Sequence, residues 1–145
     1  MRYRLLFCFM LIGLGAAAQV PTNGLRGYWP FNGNADDESG NGNNGILING
    51  PTPEQDRFGR ASSAYYFDGL DDFILVNDAS SLNPSAEISL CAWFKGDFFT
   101  GDGYSPLLAK GYTSHTAPYY QYKLGAGADY NKSWFIGSSL AINGN

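Results

Sequence analysis

The 145-residue chain contains only two cysteines, Cys8 and Cys91, and a single histidine, His115. Cys8 lies in an N-terminal apolar run, so the folded part keeps one thiol and no intramolecular disulfide can form within it. Its stability must then come from buried surface or from a bound metal. One His and one Cys far apart also argue against a transition-metal centre. Positive charge is scarce, with nine Lys and Arg against thirteen Asp and Glu. Lys95, Lys110, Lys123 and Lys132 are scattered singly, which argues against nucleic acid and anionic membrane as partners. Only Leu5 to Ala18 forms a sustained apolar run, and it is shorter than the roughly 20 residues of a membrane span. No stretch sustains the 3.6-residue periodicity of an amphipathic helix.

The apolar run follows Arg2 and Arg4 and ends in Ala16-Ala17-Ala18 before Gln19. A charged start, an apolar middle and a small-residue end are the three parts of an export signal, so residues 1–18 are expected to be removed. Cys8 lies far from the small-residue end and does not read as a lipidated cysteine. The expected mature chain starts near Gln19, is secreted or held at the cell surface, and forms one domain over residues 19–145 without membrane insertion. Losing two basic residues and no acidic one leaves seven against thirteen, a net charge of −6. Such a surface suits neutral polar ligands and divalent cations.

What the chain does have is aromatic residues, glycine, asparagine and aspartate. Short alternating segments stand between turn-forming residues, at Leu25 to Phe31, Gly45 to Ile48, Ser63 to Asp68, Phe73 to Val76, Ile88 to Phe94, Leu107 to Lys110, Tyr119 to Leu124 and Trp134 to Ile136. Many short strands separated by Gly, Asn, Asp and Pro predict an all-β antiparallel sandwich. In Ile88 to Phe94 the residues Ile88, Leu90, Ala92 and Phe94 share one face, with Cys91 and Trp93 on the other. Trp29, Phe31, Phe67, Leu90, Ala92 and Phe94 are the expected core, and an isolated strand cysteine such as Cys91 reads as a small buried hydrophobe. Asn77 to Pro84 reads as a connection with room for one helical turn, because Pro84 disfavours helix at the residue before it.

Two of these segments run into loops rich in oxygen. Asp37, Asn41 and Asn43 lie on the first, and Asp68, Asp71 and Asp72 on the second. A hard cation takes six to eight oxygens at about 2.3 to 2.6 Å, which Asp, Asn and backbone carbonyls on Gly-rich loops can supply. The competing reading is that these side chains only cap turns, since Asp and Asn bond their own backbone readily and no EF-hand spacing is present.

The order Gly27-Tyr28-Trp29-Pro30-Phe31, Gly33-Asn34-Ala35 with Asp37, Ser39-Gly40-Asn41-Gly42-Asn43, Arg57-Phe58-Gly59, Phe67-Asp68-Gly69 with Asp71-Asp72, Ser81-Leu82-Asn83 and Ile88-Ser89 with Ala92-Trp93 resembles the laminin G-like domains of the concanavalin A-like lectin/glucanase superfamily, of the secreted bacterial type. The resemblance covers about Leu25 to Lys110. It implies a two-sheet jelly roll used for binding or adhesion, often with structural calcium, and it brings the Asp68 loop alongside the strand start. The family's later strands are not recognisable after Gly111, so the jelly roll is expected to be C-terminally incomplete or completed by another chain. A sandwich without its closing strands exposes sheet edges.

Carbohydrate recognition uses aromatic platforms with neutral hydrogen-bonding groups. The segment from Tyr104 to Trp134 is rich in tyrosine, although aromatics in strands more often pack than bind. Tyr112, His115 and Tyr119 are the preferred ligand-binding candidates because the loop from Gly111 to Pro118 carries two of them. No catalytic residues are assigned. Glycosidases of the resembled superfamily carry Glu-x-Asp-x-x-Glu, with two carboxylates about 5 Å apart when retaining, and this chain has no such sequence. A carbohydrate- or glycoprotein-binding module with structural calcium is therefore expected. A structural or adhesive protein–protein module stands second and a glycoside hydrolase a distant third.

Overall fold

The computed structural model describes residues 20–96, 103–111, 120–128 and 134–140. Among the described residues the regular structure is almost entirely strand, with one short 3-10 turn, consistent with an all-β chain. No helix among the described residues is long and apolar enough to cross a membrane. The chain divides into two compact units at Asp78 and Ala79.

In the first unit, β1 (Gly45–Ile48) pairs antiparallel with β4 (Phe73–Val76), and β2 (Thr52–Glu54) pairs antiparallel with β3 (Ala64–Tyr66). The apolar runs Ile46-Leu47-Ile48 and Phe73-Ile74-Leu75-Val76, rich in β-branched residues, suit a pleated ribbon. Their register sets Ile46 opposite Leu75 and Ile48 opposite Phe73 on one face, and Leu47 opposite Ile74 on the other. On that second face Gly45 admits no side chain: a Cβ there would lie 2.6 Å from Ile74 Cγ2 and 3.0 Å from the Cβ of buried Ala35. The packed centre of this unit is therefore small, and it is shared between a ribbon and a loop.

Proline made β2 invisible in the sequence, because a strand proline cannot donate to the ladder. Pro53 is accommodated opposite Tyr65, and the ribbon is held at its far end by Ser63 N donating to Glu54 O at 3.0 Å. Tyr65 meets Phe31 edge to face, with ring centroids 5.3 Å apart. The β2–β3 connection turns on Asp56, whose carboxylate accepts from Phe58 N, Arg60 N and Arg60 Nε and pairs with the guanidinium at 2.6 Å.

The second unit opens with the 3-10 turn Ser80–Leu82, inside the expected connection. It continues into a three-stranded antiparallel sheet of β5 (Gly103–Gly111), β6 (Tyr120–Ala128) and β7 (Trp134–Leu140), with β6 central. Gln121, Tyr122 and Ala126 of β6 are buried. The register of β5 on β6 slips between Pro106 and Leu108, where a residue without an N–H sits in the ladder.

Two expected strands do not form. Leu25 to Phe31 is irregular because side chains from the following loop take up its backbone groups, and because Phe31 adopts a φ of 58°, which ends any extended run. Ile88 to Phe94 alternates correctly, but none of the described strands pairs with it. A period of two gives a strand only where a ladder partner exists. The expected core changes accordingly. Trp29, Phe31 and Leu90 are half-buried, whereas Phe67, Ala92 and Phe94 are exposed, as is Cys91, and Trp93 is 77% exposed.

Candidate functional site

The loop after Phe31 is organised around one carboxylate. Asp37 Oδ1 accepts from Tyr28 N and Ser39 N, each at 2.9 Å, while Oδ2 accepts from Ser39 Oγ at 2.8 Å and Asn43 N at 2.9 Å. A carboxylate offers about four lone-pair positions, so these four bonds use its accepting capacity. Partial burial pushes the Asp37 carboxyl up, but the bonds from Tyr28, Ser39 and Asn43 together outweigh this and hold it below the usual carboxylate range.

The neighbouring asparagines extend the same network. Asn43, buried, donates from Nδ2 to Arg26 O at 2.8 Å, and its own carbonyl accepts Trp29 Nε1 at 2.8 Å. Asn41 Nδ2 reaches Leu25 O, Arg26 O and Ser39 Oγ. Asn44 Oδ1 accepts from Asp37 N, and Gly45 N donates to Ala35 O at 2.7 Å as the chain enters β1. Asp37, Asn41 and Asn43 thus tie the irregular segment from Leu25 to Trp29 to the start of the first ribbon.

Asp68, Asp71 and Asp72 are arranged differently. One carboxylate oxygen from each lies within 4.8 Å of the others, and Asp37 is not part of this group. Asp68 Oδ1 accepts from Leu70 N at 2.8 Å across Gly69, whose φ of 80° makes the turn, and Asp72 Oδ2 accepts from Asp68 N at 3.1 Å. Asn49, just past β1, donates to Asp71 O at 2.9 Å and fixes the loop against the ribbon. Asp68 and Asp71 are exposed and Asp72 is half-buried, leaving carboxylate oxygens open to solvent. Each pair of like charges about 5 Å apart repels by roughly 0.8 kcal/mol in bulk water, which a cation between them would reverse.

No family model, curated protein or solved structure matches this chain. The functional reading therefore rests on the residues themselves.

Tyr112, His115 and Tyr119 lie outside the described residues. Within the tyrosine-rich region, Tyr122 is a packing residue: its ring is buried and its hydroxyl donates to Leu82 O at 3.2 Å, anchoring the 3-10 turn. The tip of the β2–β3 connection entered the sequence reading only as the Arg57-Phe58-Gly59 segment of the family order, without a role. There Phe58 is 67% exposed, with the Arg57 guanidinium 4.4 Å and the Arg60 guanidinium 5.5 Å from its ring centroid. The available signal was an aromatic residue between two arginines beside a turn glycine.

Proposed function

We propose that the chain is an exported, non-catalytic binding module with a laminin G-like jelly-roll plan, which recognises carbohydrate or an extracellular glycoprotein and holds one structural calcium at Asp68, Asp71 and Asp72. The observation that carries the calcium part is the convergence of three carboxylate oxygens on a loop fastened to the first ribbon by Asn49. Backbone carbonyls and water would complete the coordination a hard cation needs. Asp37, Asn41 and Asn43 serve this reading as scaffold, since their side chains are already engaged with the segment from Leu25 to Tyr28 and with Ser39. The order of aromatic, Asp/Asn/Gly and Arg-Phe-Gly segments supports the family plan, and the absence of a paired-carboxylate motif supports a binding role over hydrolysis. Recognition is assigned to Tyr112, His115 and Tyr119.

A second reading, a structural or adhesive protein–protein module, is favoured by the apolar face of the first ribbon, where Ile46, Phe73 and Leu75 are all exposed.

Melting curves of the exported protein in calcium and in chelator test the metal. A bound ion stabilises by RT ln(1 + [L]/Kd), about 2.7 kcal/mol at a hundredfold excess over Kd, so chelation should lower Tm by several degrees. Asp71→Ala should abolish that shift, whereas Asp37→Ala should lower stability equally in both conditions. Identical wild-type curves would leave these carboxylates as turn formers. Glycan-array binding lost in Tyr112→Ala or His115→Ala supports the lectin-like role, and binding to protein partners alone supports the adhesive one.

A further inference from the structure

Five Asn-Gly pairs fall among the described residues: Asn23-Gly24, Asn32-Gly33, Asn41-Gly42, Asn44-Gly45 and Asn49-Gly50. This dipeptide can modify itself, because glycine offers no side chain to shield its amide nitrogen from the preceding carboxamide. The reaction needs two freedoms, a glycine N–H not committed to an acceptor and an asparagine side chain free to swing its Cγ over that nitrogen. The fold grants them unequally.

Gly33 N is held twice, by Phe31 O at 2.8 Å and Ser62 O at 2.7 Å. Gly45 N is held by Ala35 O at 2.7 Å, and the Asn44 carboxamide is engaged by Asp37 N at 3.0 Å. At Asn41 the side-chain nitrogen has three acceptors, and at Asn49 it is bonded to Asp71 O. Asn23 and Gly24 are the central residues of a turn closed by Leu25 N donating to Thr22 O at 3.3 Å. Both are exposed, Gly24 has a φ of 77°, and among the described residues neither the Gly24 N–H nor the Asn23 carboxamide has a partner.

We infer that Asn23 is a site of spontaneous deamidation, and that the committed N–H groups of Gly33 and Gly45 protect Asn32 and Asn44 from the same reaction. The Gly24 nitrogen attacks Asn23 Cγ and the Cγ–Nδ2 bond breaks, while the Gly24 amide proton passes through solvent to the departing nitrogen, which leaves as ammonia. Water then opens the resulting five-membered imide at either carbonyl, giving aspartate or isoaspartate at position 23. The product carries one more negative charge, in a turn that leads directly into Leu25 and Arg26, whose carbonyls the Asp37 loop holds. The isoaspartate form also inserts a methylene into the backbone of that turn.

The test is to age the purified full chain in mildly alkaline buffer and follow each Asn-Gly peptide by mass spectrometry, with isoaspartyl methyltransferase labelling to mark the rearranged product. A single hydrogen bond to be broken first slows a site by up to about tenfold. Asn23 should therefore convert about tenfold or more ahead of Asn32 and Asn44, with Asn41 and Asn49 between. In urea the five rates should converge, and Asn23→Gln should remove the early product from the peptide that carries position 23. Conversion of Asn32 or Asn44 as fast as Asn23 in the folded chain, or an unchanged ranking in urea, overturns the inference.

Discussion

Replacing Asp37 with alanine is the sharpest perturbation of the first unit. The carboxylate accepts four hydrogen bonds, two from Ser39 close by and two that join separate segments, from Tyr28 N and Asn43 N. Hydrogen bonds to a charged acceptor contribute about 1.5 to 3 kcal/mol each, and the lower end applies where solvent reaches the loop. Water can replace the local bonds to Ser39, so the two joining bonds set the loss at about 3 kcal/mol. Asp37→Asn should lose less, because its single carbonyl oxygen still serves Tyr28 N and Ser39 N, while its amide faces the Asn43 N–H donor. The pH dependence has a definite sign. The folded-state carboxyl is held below its ordinary value, so its contribution is present above the unfolded pKa and is lost as pH falls through the lower folded pKa. Urea denaturation followed by circular dichroism at neutral pH, and again at successively lower pH below the ordinary carboxylate value, measures both effects. The wild type should lose more stability than Asp37→Ala on acidification, bringing the two curves together. A change of less than about 0.5 kcal/mol at neutral pH, the range of ordinary surface substitutions, would refute this joining role of Asp37, as would parallel acid curves.

Gly45→Ala should destabilise the chain by about 1 to 3 kcal/mol, the usual range for overpacking, because its Cβ would press on Ile74 and Ala35; the urea midpoint reads it, and a neutral result would mean the β1–β4 ribbon gives way freely. Tyr122→Phe removes only the hydroxyl that bonds Leu82 O and should lose about 0.5 to 1.5 kcal/mol, with the buried ring retained. Amide hydrogen exchange at Leu82 and Asn83, whose N–H groups close the 3-10 turn, should quicken in that variant, and unchanged exchange would show that the turn holds without it.

The strands legible in the sequence are those whose partners share their chemistry. Gly45–Ile48 and Phe73–Val76 are bounded to the residue because both are short apolar runs between Asn, Asp and Gly, and each is the other's ladder partner. Leu107 to Lys110 and Trp134 to Ile136 located β5 and β7 but underestimated their length, since glycine and serine continue those strands without an apolar signal. Ile88 to Phe94 carries as clear an alternation and pairs with none of the described strands. Pairing is a property of two segments, and one segment's pattern cannot report it. The same limit applies to the acidic residues. Asp68, Asp71 and Asp72 are neighbours in sequence, so their convergence was readable. Whether a carboxylate is spent or available depends on which N–H groups point at it, and nothing in the stretch from Gly33 to Gly45 revealed that Asp37 answers Tyr28, nine residues earlier.

The Trp29 side chain gives this chain an optical reporter of its own folding. Its indole N–H rests on the Asn43 carbonyl, and its ring lies over Gly27 so closely that a Cβ there would overlap it. Trp93, by contrast, is largely exposed. In a Trp134→Phe chain, which leaves these two indoles, a dissolved quencher should therefore reach Trp93 emission readily and Trp29 emission slowly. Loosening of the Asp37 loop would appear as quenching of a shielded, bluer component, observable without a label in the same tube as any ligand or metal titration.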